Sequence, residues 1–323
     1  MGSFRIWGFC YLSSVTEGFG CSVLILFLVL VVESMQFCLL TSRTVVHVNG
    51  TDAVAVINNL CTNDVQRLEV GQFCEAFVTN LKGWAVGHVF VTRTEVGVDL
   101  IGLGDFAEPL VEHIDRYIIR EDAELVIDNE AVAAFVAGVG TEALLERLGE
   151  GAQVIPGFCN GCLVVAGSEP SQLLAKFEDA ESLEPGEFER IRVASFLPLI
   201  GKEVREKSIP QELDRDEQAI SFTKGCYLGQ ETIARLDARG QLQKKLCKVE
   251  LPCDWLNSSN DDMAVHDASG KVIGELTSFA ECNSTVLALG YLKRGNNEPG
   301  AEVVARGKAG EVVESRMAAS SSQ

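Results

Sequence analysis

Apolar and polar positions along this chain change period every ten residues or so, and that alternation predicts most of its elements. Thr44-Val45-Val46-His47-Val48 alternates as a strand does, Asn49-Gly50 marks a turn, and Asp52 stands as N-cap to a helix over 53–60. Further strands are predicted over 74–79 and 84–91, the latter with His88 on its outward face, and at 124–127 and 132–139. Leu110, Val111, Ile114, Tyr117 and Ile118 recur at helical spacing within 106–118. Gly140-Thr141 opens a short helix to Leu148 with Thr141 as its N-cap, and Pro170 or Ser171 opens another that ends near Ala180. Between them, apolar runs flank Cys159-Asn160-Gly161-Cys162, where Asn-Gly predicts a hairpin turn with the cysteines at its flanks. From about Leu242 the pattern becomes one of short strands separated by Gly, Asn, Asp and Ser, which reads as a small barrel. The predicted class is α+β, with ferredoxin-like α+β units rather than a doubly wound sheet.

The first residues stand apart. Val23 to Val32 is an unbroken apolar run of ten residues, short for a membrane span, which takes about 20. Arg5 is the one basic residue before it, and no small-x-small cleavage site follows. Three readings stay open: a signal segment, an anchor, or a translation start at Met35.

Charge and chemistry narrow the function. The 323 residues carry 46 acidic and 27 basic side chains, a net charge of −19, which argues against binding driven by nucleic-acid phosphates. The Lys244, Lys245, Lys248, Arg235 and Arg239 group reads as a solvated face. Eleven cysteines without framework spacing point to free thiols in a reducing compartment. The lone Cys159/Cys162 pair and four scattered histidines do not make a zinc site. No glycine-rich nucleotide-binding pattern occurs.

The stretch Ser221 to Arg235 concentrates the candidate chemistry. In Lys224-Gly225-Cys226-Tyr227-Leu228-Gly229-Gln230-Glu231 one cysteine stands between two glycines, with a lysine two residues before it. The residues admit two readings. Cys226 is a buried, inert thiol in a turn before an amphipathic helix, or an exposed thiol that the Lys224 ammonium favours as thiolate.

Lys-Gly-Cys-Tyr-x-Gly-Gln-Glu resembles the signature of the YgfZ family, folate-binding GcvT-like proteins that support iron–sulfur cluster assembly or repair. The likeness extends to Thr62-Asn63-Asp64-Val65, Asn80-Leu81-Lys82-Gly83, the Arg192 to Pro198 segment, and Gly274-Glu275-Leu276-Thr277-Ser278 with Leu289-Gly290-Tyr291 near the C-terminus. It implies a GcvT/YgfZ-like folate-binding region over 38–241 around a central groove and a C-terminal β-barrel over 242–316. Residues 1–37 are then an extension and 317–323 a disordered tail. It implies a cytoplasmic factor with little or no enzymatic turnover, which influences tRNA modification only indirectly. Cys226 would be its functional thiol, facing the folate groove, with Lys224 beside it. Tetrahydrofolate would be its cofactor, contacted by Asn63, Asp64, Arg192, Gly225, Tyr227, Gly229, Gln230, Glu231 and Arg235. Its partners would be iron–sulfur client or assembly proteins, with a transient cluster shared between them, and the membrane only if the extension is real.

Three departures set the alternatives. Gly87 and His88 occupy the strand where glycine-cleavage aminomethyltransferases carry a working aspartate, which disfavours an aminomethyl or methyl transferase or a demethylase. Ala194 replaces a glutamate that orients the pterin, with Glu189 or Glu203 as compensating carboxylates, and Phe196 replaces a glycine. These two support a third reading, a protein-binding module without folate.

Overall fold

The structure, a computed structural model, describes residues 34–167, 169–240, 242–258, 261–282 and 284–314. The apolar run at 23–32 and the tail after 314 lie outside the described residues. The chain enters at β1 (Gln36–Leu40) and β2 (Arg43–Asn49), followed by α1 (Ala53–Leu60), β3 (Phe73–Thr79), β4 (Ala85–Arg93), β5 (Gly97–Leu103) and α2 (Ala107–Asp115). Then come β6 (Glu124–Ile127), β7 (Val132–Ala137), α3 (Thr141–Leu148), β8 (Ala152–Phe158), β9 (Gly161–Ala166), α4 (Pro170–Ala175) and β10 (Glu181–Ser182). After α5 (Pro185–Ala194), α6 (Asp216–Ala219) and α7 (Gln230–Arg239), strands β11 (Lys244–Pro252), β12 (Ala264–His266), β13 (Val272–Cys282), β14 (Thr285–Lys293), β15 (Glu302–Ala305) and β16 (Lys308–Val313) close the fold.

Two five-stranded sheets, ordered β3-β4-β5-β2-β6 and β10-β1-β7-β9-β8, precede a closed six-stranded barrel, so the predicted α+β class and terminal barrel hold. Side-chain alternation gives each sheet two apolar faces. Val46, Val48, Ala76, Val78, Val89, Val91, Val98 and Leu100 of the first sheet pack under α1 and α2. The opposite face brings Val45, Phe90 and Ile101 against Phe135, Ile155, Leu163 and Val165 of the second sheet. Each such side chain, once buried, contributes about 1.5–3 kcal/mol. The second sheet's outer face is covered by α3 and by Leu173 of α4.

Local capping differs from expectation in two places. Asp52 precedes α1 but does not cap it with its side chain; its carboxylate accepts instead from the Asp122 N–H at 2.8 Å. The N-cap of α3 is Gly140, with Thr141 the first helical residue. The hairpin turn also shifts by one residue. Cys159 and Asn160, with φ of 50° and 62°, form the turn, and Phe158 pairs with Gly161. Gly161 belongs in the strand because a Cβ there would meet the Val136 carbonyl oxygen at 2.5 Å.

A second tie joins the sheets. His47 on β2 binds Asp99 through Nδ1 at 2.7 Å and Asp128 through Nε2 at 3.2 Å, while Gln153 of the second sheet donates to Asp99. Burial disfavours the imidazolium, but the hydrogen bonds and charges of Asp99 and Asp128 outweigh it and raise the pKa of His47. A raised folded-state pKa adds stability that is complete below the unfolded value of 6.5 and is lost as pH climbs through the folded value. In urea unfolding, the wild-type midpoint should therefore fall more than that of His47→Gln between about pH 6 and about pH 9. Parallel curves would mean that the imidazolium carries none of the joint.

Candidate functional site

The motif stretch is laced to the C-terminal end of α1. Ser221 N–H donates to the Thr62 carbonyl at 2.9 Å, and Leu228 N–H to that of Asn59 at 2.8 Å. Lys224 is 7% exposed, and its ammonium donates to three backbone carbonyls: Asn58 at 2.6 Å, Cys61 at 2.9 Å and Asn63 at 2.6 Å. Those groups end α1 and continue from it, so the lysine satisfies carbonyls that a helix terminus leaves open and opposes its negative end. The expectation that Lys224 stands by to activate Cys226 gives way to this capping role. The thiols of buried Cys61 and half-buried Cys74 feel its charge, yet desolvation dominates and raises both, Cys74 to about 12. Desolvation in turn lowers the pKa of Lys224.

Cys226 itself is exposed. Together with Tyr227 and Leu228 it lines a cavity of about 780 Å³ whose other walls are Asp52 and α1 (Ala55, Asn59) and the chain after α2 (Tyr117, Arg120, Glu121). Tyr227 is buried with Ile220 and Ile233, its ring 5.1 Å from the Lys224 ammonium. Gly229, at φ +81°, is pressed against the β3–β4 turn, where a Cβ would stand 2.4 Å from the Asn80 carbonyl oxygen and 2.6 Å from the Gly83 Cα. Gln230 begins α7, with Glu231 and Arg235 on its exposed side. Gly225 is exposed with open space around it.

A groove opens on the other face of the first sheet. Phe73, Glu75 and Phe90, the turn at 156–160, Ser195 to Leu197 after α5, and Asp214, Arg215, Glu217 and Gln218 enclose about 620 Å³. An adjoining chamber of about 540 Å³ shares Cys159, Asn160 and Ser195 and is lined also by Gln36, Phe135 and Ala194. The first sheet therefore stands between this groove and α1, so Cys226 faces α1 and not the groove. That corrects the expected placement of the thiol.

The groove's polar centre is one that the sequence pattern does not reveal. Glu75, buried on β3, is gripped by the Arg215 guanidinium through Nε and Nη2, and its Oε1 lies 2.7 Å from His88 Nε2. Burial would raise this carboxyl, but the charge and hydrogen bonds of Arg215, helped by His88, hold it at about 2. His88 is thus not outward-facing. It is 6% exposed, stacks on Phe77 at 4.7 Å between ring centroids and lies 3.3 Å from the Pro198 carbonyl oxygen. Gly87 points the other way, into Phe106 and Leu110. The one available signal was an acid inside the apolar run Cys74-Glu75-Ala76-Phe77-Val78. The Cys159 thiol on the groove wall is inert by comparison, since burial pushes it up to about 12.

The remaining sequence candidates separate. Asn63 donates its amide to the carbonyls of Glu75 and Gln218, at 2.8 and 2.9 Å, which puts it at the groove rim as a tie. Asp64 pairs with Arg67 at 2.9 Å. Arg192 has no solvent exposure; it is bonded to Glu189, Glu203 and the Leu197 carbonyl and touches no cavity wall described above. Glu189 and Glu203 are spent on it, and neither compensates for Ala194 in the groove. Phe196 holds φ +56°, a conformation that favours glycine. Among the described residues, no three His, Cys, Asp or Glu side chains come together as a metal site.

No family model matches the chain. The tRNA-modifying protein YgfZ of Blochmanniella pennsylvanica is 22% identical over 249 residues, 70% of this chain and 74% of that one. The protein of the same description from Vibrio vulnificus is 24% identical over 225 residues, 65% and 68% of the two chains. The glycine cleavage system aminomethyltransferase T of Bartonella henselae superposes with a TM-score of 0.74 at 15% identity, over 87% of this chain and 85% of its own.

Gly229→Ala should lower stability by about 2 kcal/mol, from left-handed strain and the clash with Asn80. A thermal midpoint equal to wild type would show that the loop has room. In the native protein, a brief pulse of iodoacetamide should label Cys226 ahead of Cys61, Cys74, Cys159 and Cys247, as peptide mass spectrometry would read out.

Proposed function

We propose, taking as premise that this chain is YgfZ-like in sequence and GcvT-like in fold, that it binds a reduced folate in the groove. We further propose that it supports the assembly or repair of iron–sulfur proteins, with Cys226 as its working thiol. The observation that carries the thiol reading is exposure. Of the nine described cysteines, all unpaired, five are buried and three half-buried, and Cys226 stands open at a cavity. A single cysteine supplies at most one ligand of the four a cluster takes, so any cluster would be shared with a partner. Ile119, 82% exposed, adjoins Tyr117, Arg120 and Glu121 of the same cavity, and Leu81, 75% exposed, lies in the turn that Gly229 abuts. Two bare apolar side chains in the segments next to the motif suit a protein partner.

The groove fits a reduced folate in size and character. Its volume is in the range of small-molecule sites, and Phe73, Phe90, Phe158 and Phe196 give its lining an aromatic character. Bound there, the folate would supply a reduced, one-carbon-carrying ring. The protein's own part is to stack that ring, exclude water from it and hold charge beside it.

The transferase alternative needs a carboxylate able to take a proton near the folate. Of the carboxylates that line the groove, Glu75, Asp214 and Glu217, the buried one, Glu75, is held at about 2 by Arg215 and is too weak a base for that work. With a net charge of −19, any effect on tRNA would run through client enzymes. Free thiols agree with a cytoplasmic, reducing setting, and no described helix is long and apolar enough to cross a membrane.

In cells lacking this protein, wild type should restore iron–sulfur enzyme activity and Cys226→Ser should leave it at the level of the deletion. Full restoration by Cys226→Ser would remove the thiol from the mechanism. Tetrahydrofolate should bind both forms equally in calorimetric titration, because the thiol lies across the sheet from the groove.

A further inference from the structure

The Glu75–Arg215–His88 group is built for more than joining strands. A buried ion pair contributes little net stability, and this one borders a cavity, with Glu75 and Arg215 both among its walls. An ionised carboxylate offers about four acceptor positions. Arg215 takes two and His88 one, which leaves one for a ligand. Arg215 has five donors, of which two go to Glu75 and one to the Phe196 carbonyl at 3.3 Å. Side by side, the pair presents an acceptor next to a donor in a fixed fork, with its charges cancelling.

That pattern selects a ligand class. A negatively charged group would gain little from a guanidinium whose charge Glu75 already cancels. A neutral planar ring whose edge carries an N–H donor beside a carbonyl acceptor meets both members at once. Aromatic residues line the same cavity, with Phe90 and Phe158 packed edge-to-face on each other at 5.5 Å. Ala194, which lacks any polar side-chain group, lines the adjoining chamber and leaves this function to other residues.

We propose that the Glu75–Arg215 pair is the groove's specificity element for the amino-lactam edge of a pterin, with Glu75 accepting from a ring N–H and Arg215 donating to the ring carbonyl. The assignment rests on the folate reading above. His88 is a positioning residue that orients Glu75 and does not touch the ring.

The test is calorimetric titration of full-length protein with tetrahydrofolate and with its 4-amino-4-deoxy analogue, in which a bare ring nitrogen and an amino group replace the ring N–H and the ring carbonyl. Wild type should prefer tetrahydrofolate. In Glu75→Gln, tetrahydrofolate affinity should fall roughly 10- to 100-fold while that of the analogue barely changes, so discrimination collapses. The double substitution Glu75→Leu with Arg215→Leu replaces both charges together, leaves neither buried alone, and should collapse it equally. A merely structural role would weaken both ligands alike. Tetrahydrofolate binding by wild type with discrimination intact in both variants would overturn this assignment and spare the folate reading. Failure of wild type to bind tetrahydrofolate would overturn the folate reading, and this assignment with it.

Discussion

One buried guanidinium holds the parts of this molecule in register. Arg192, on α5 and shut off from solvent, engages Glu189, Glu203 and the Leu197 carbonyl. An uncompensated charge there would cost several kcal/mol, so its partners have no freedom to drift. Glu203 extends the network into the barrel, where it accepts hydrogen bonds from Thr277 and Ser278, and its backbone carbonyl accepts from the Tyr291 hydroxyl at 2.8 Å. Lys248 of β11 adds a second strap by donating to the Ala194 carbonyl at 2.7 Å. Barrel, linker and α5 are thereby fixed together. The end of α5 carries Ser195, Phe196 and Leu197, which form a groove wall. A strained φ at Phe196 persists because its surroundings determine it from several sides.

Much of the fold was legible locally. β2, α1, the 74–79 strand and the barrel followed from period and turn chemistry, because those signals act over a few residues. β5 was not read from the sequence, since Gly97, Asp99 and Gly102 break the apolar alternation in a strand buried between β2 and β4. The shifted hairpin was hidden for a related reason. Gly161 is required by Val136 and Phe135 of a neighbouring strand, a demand that no local pattern announces.

The site divides the same way. The motif loop was conspicuous, because its unusual residues are contiguous. The groove's polar centre joins residues 75, 88 and 215, brought together by sheet pairing and by the chain that follows Pro210. Arg192 and Lys224 have the composition of ligand-binding groups, and burial turns both into framework. Long-range packing decides whether a cation meets a ligand or a carbonyl, and spacing along the chain does not encode it.

Asn63 has a consequence of its own. Its side-chain amide holds the backbone of Glu75 and Gln218 in the groove wall, and its carbonyl holds the ammonium of the motif lysine. Reacting atoms must approach to about 3–3.5 Å, which a ring in the groove and the sulfur beyond the sheet cannot do. Asn63 is thus one tie between groove wall and motif loop, beside Thr62, whose hydroxyl donates to the Ala219 carbonyl and whose own carbonyl accepts from Ser221.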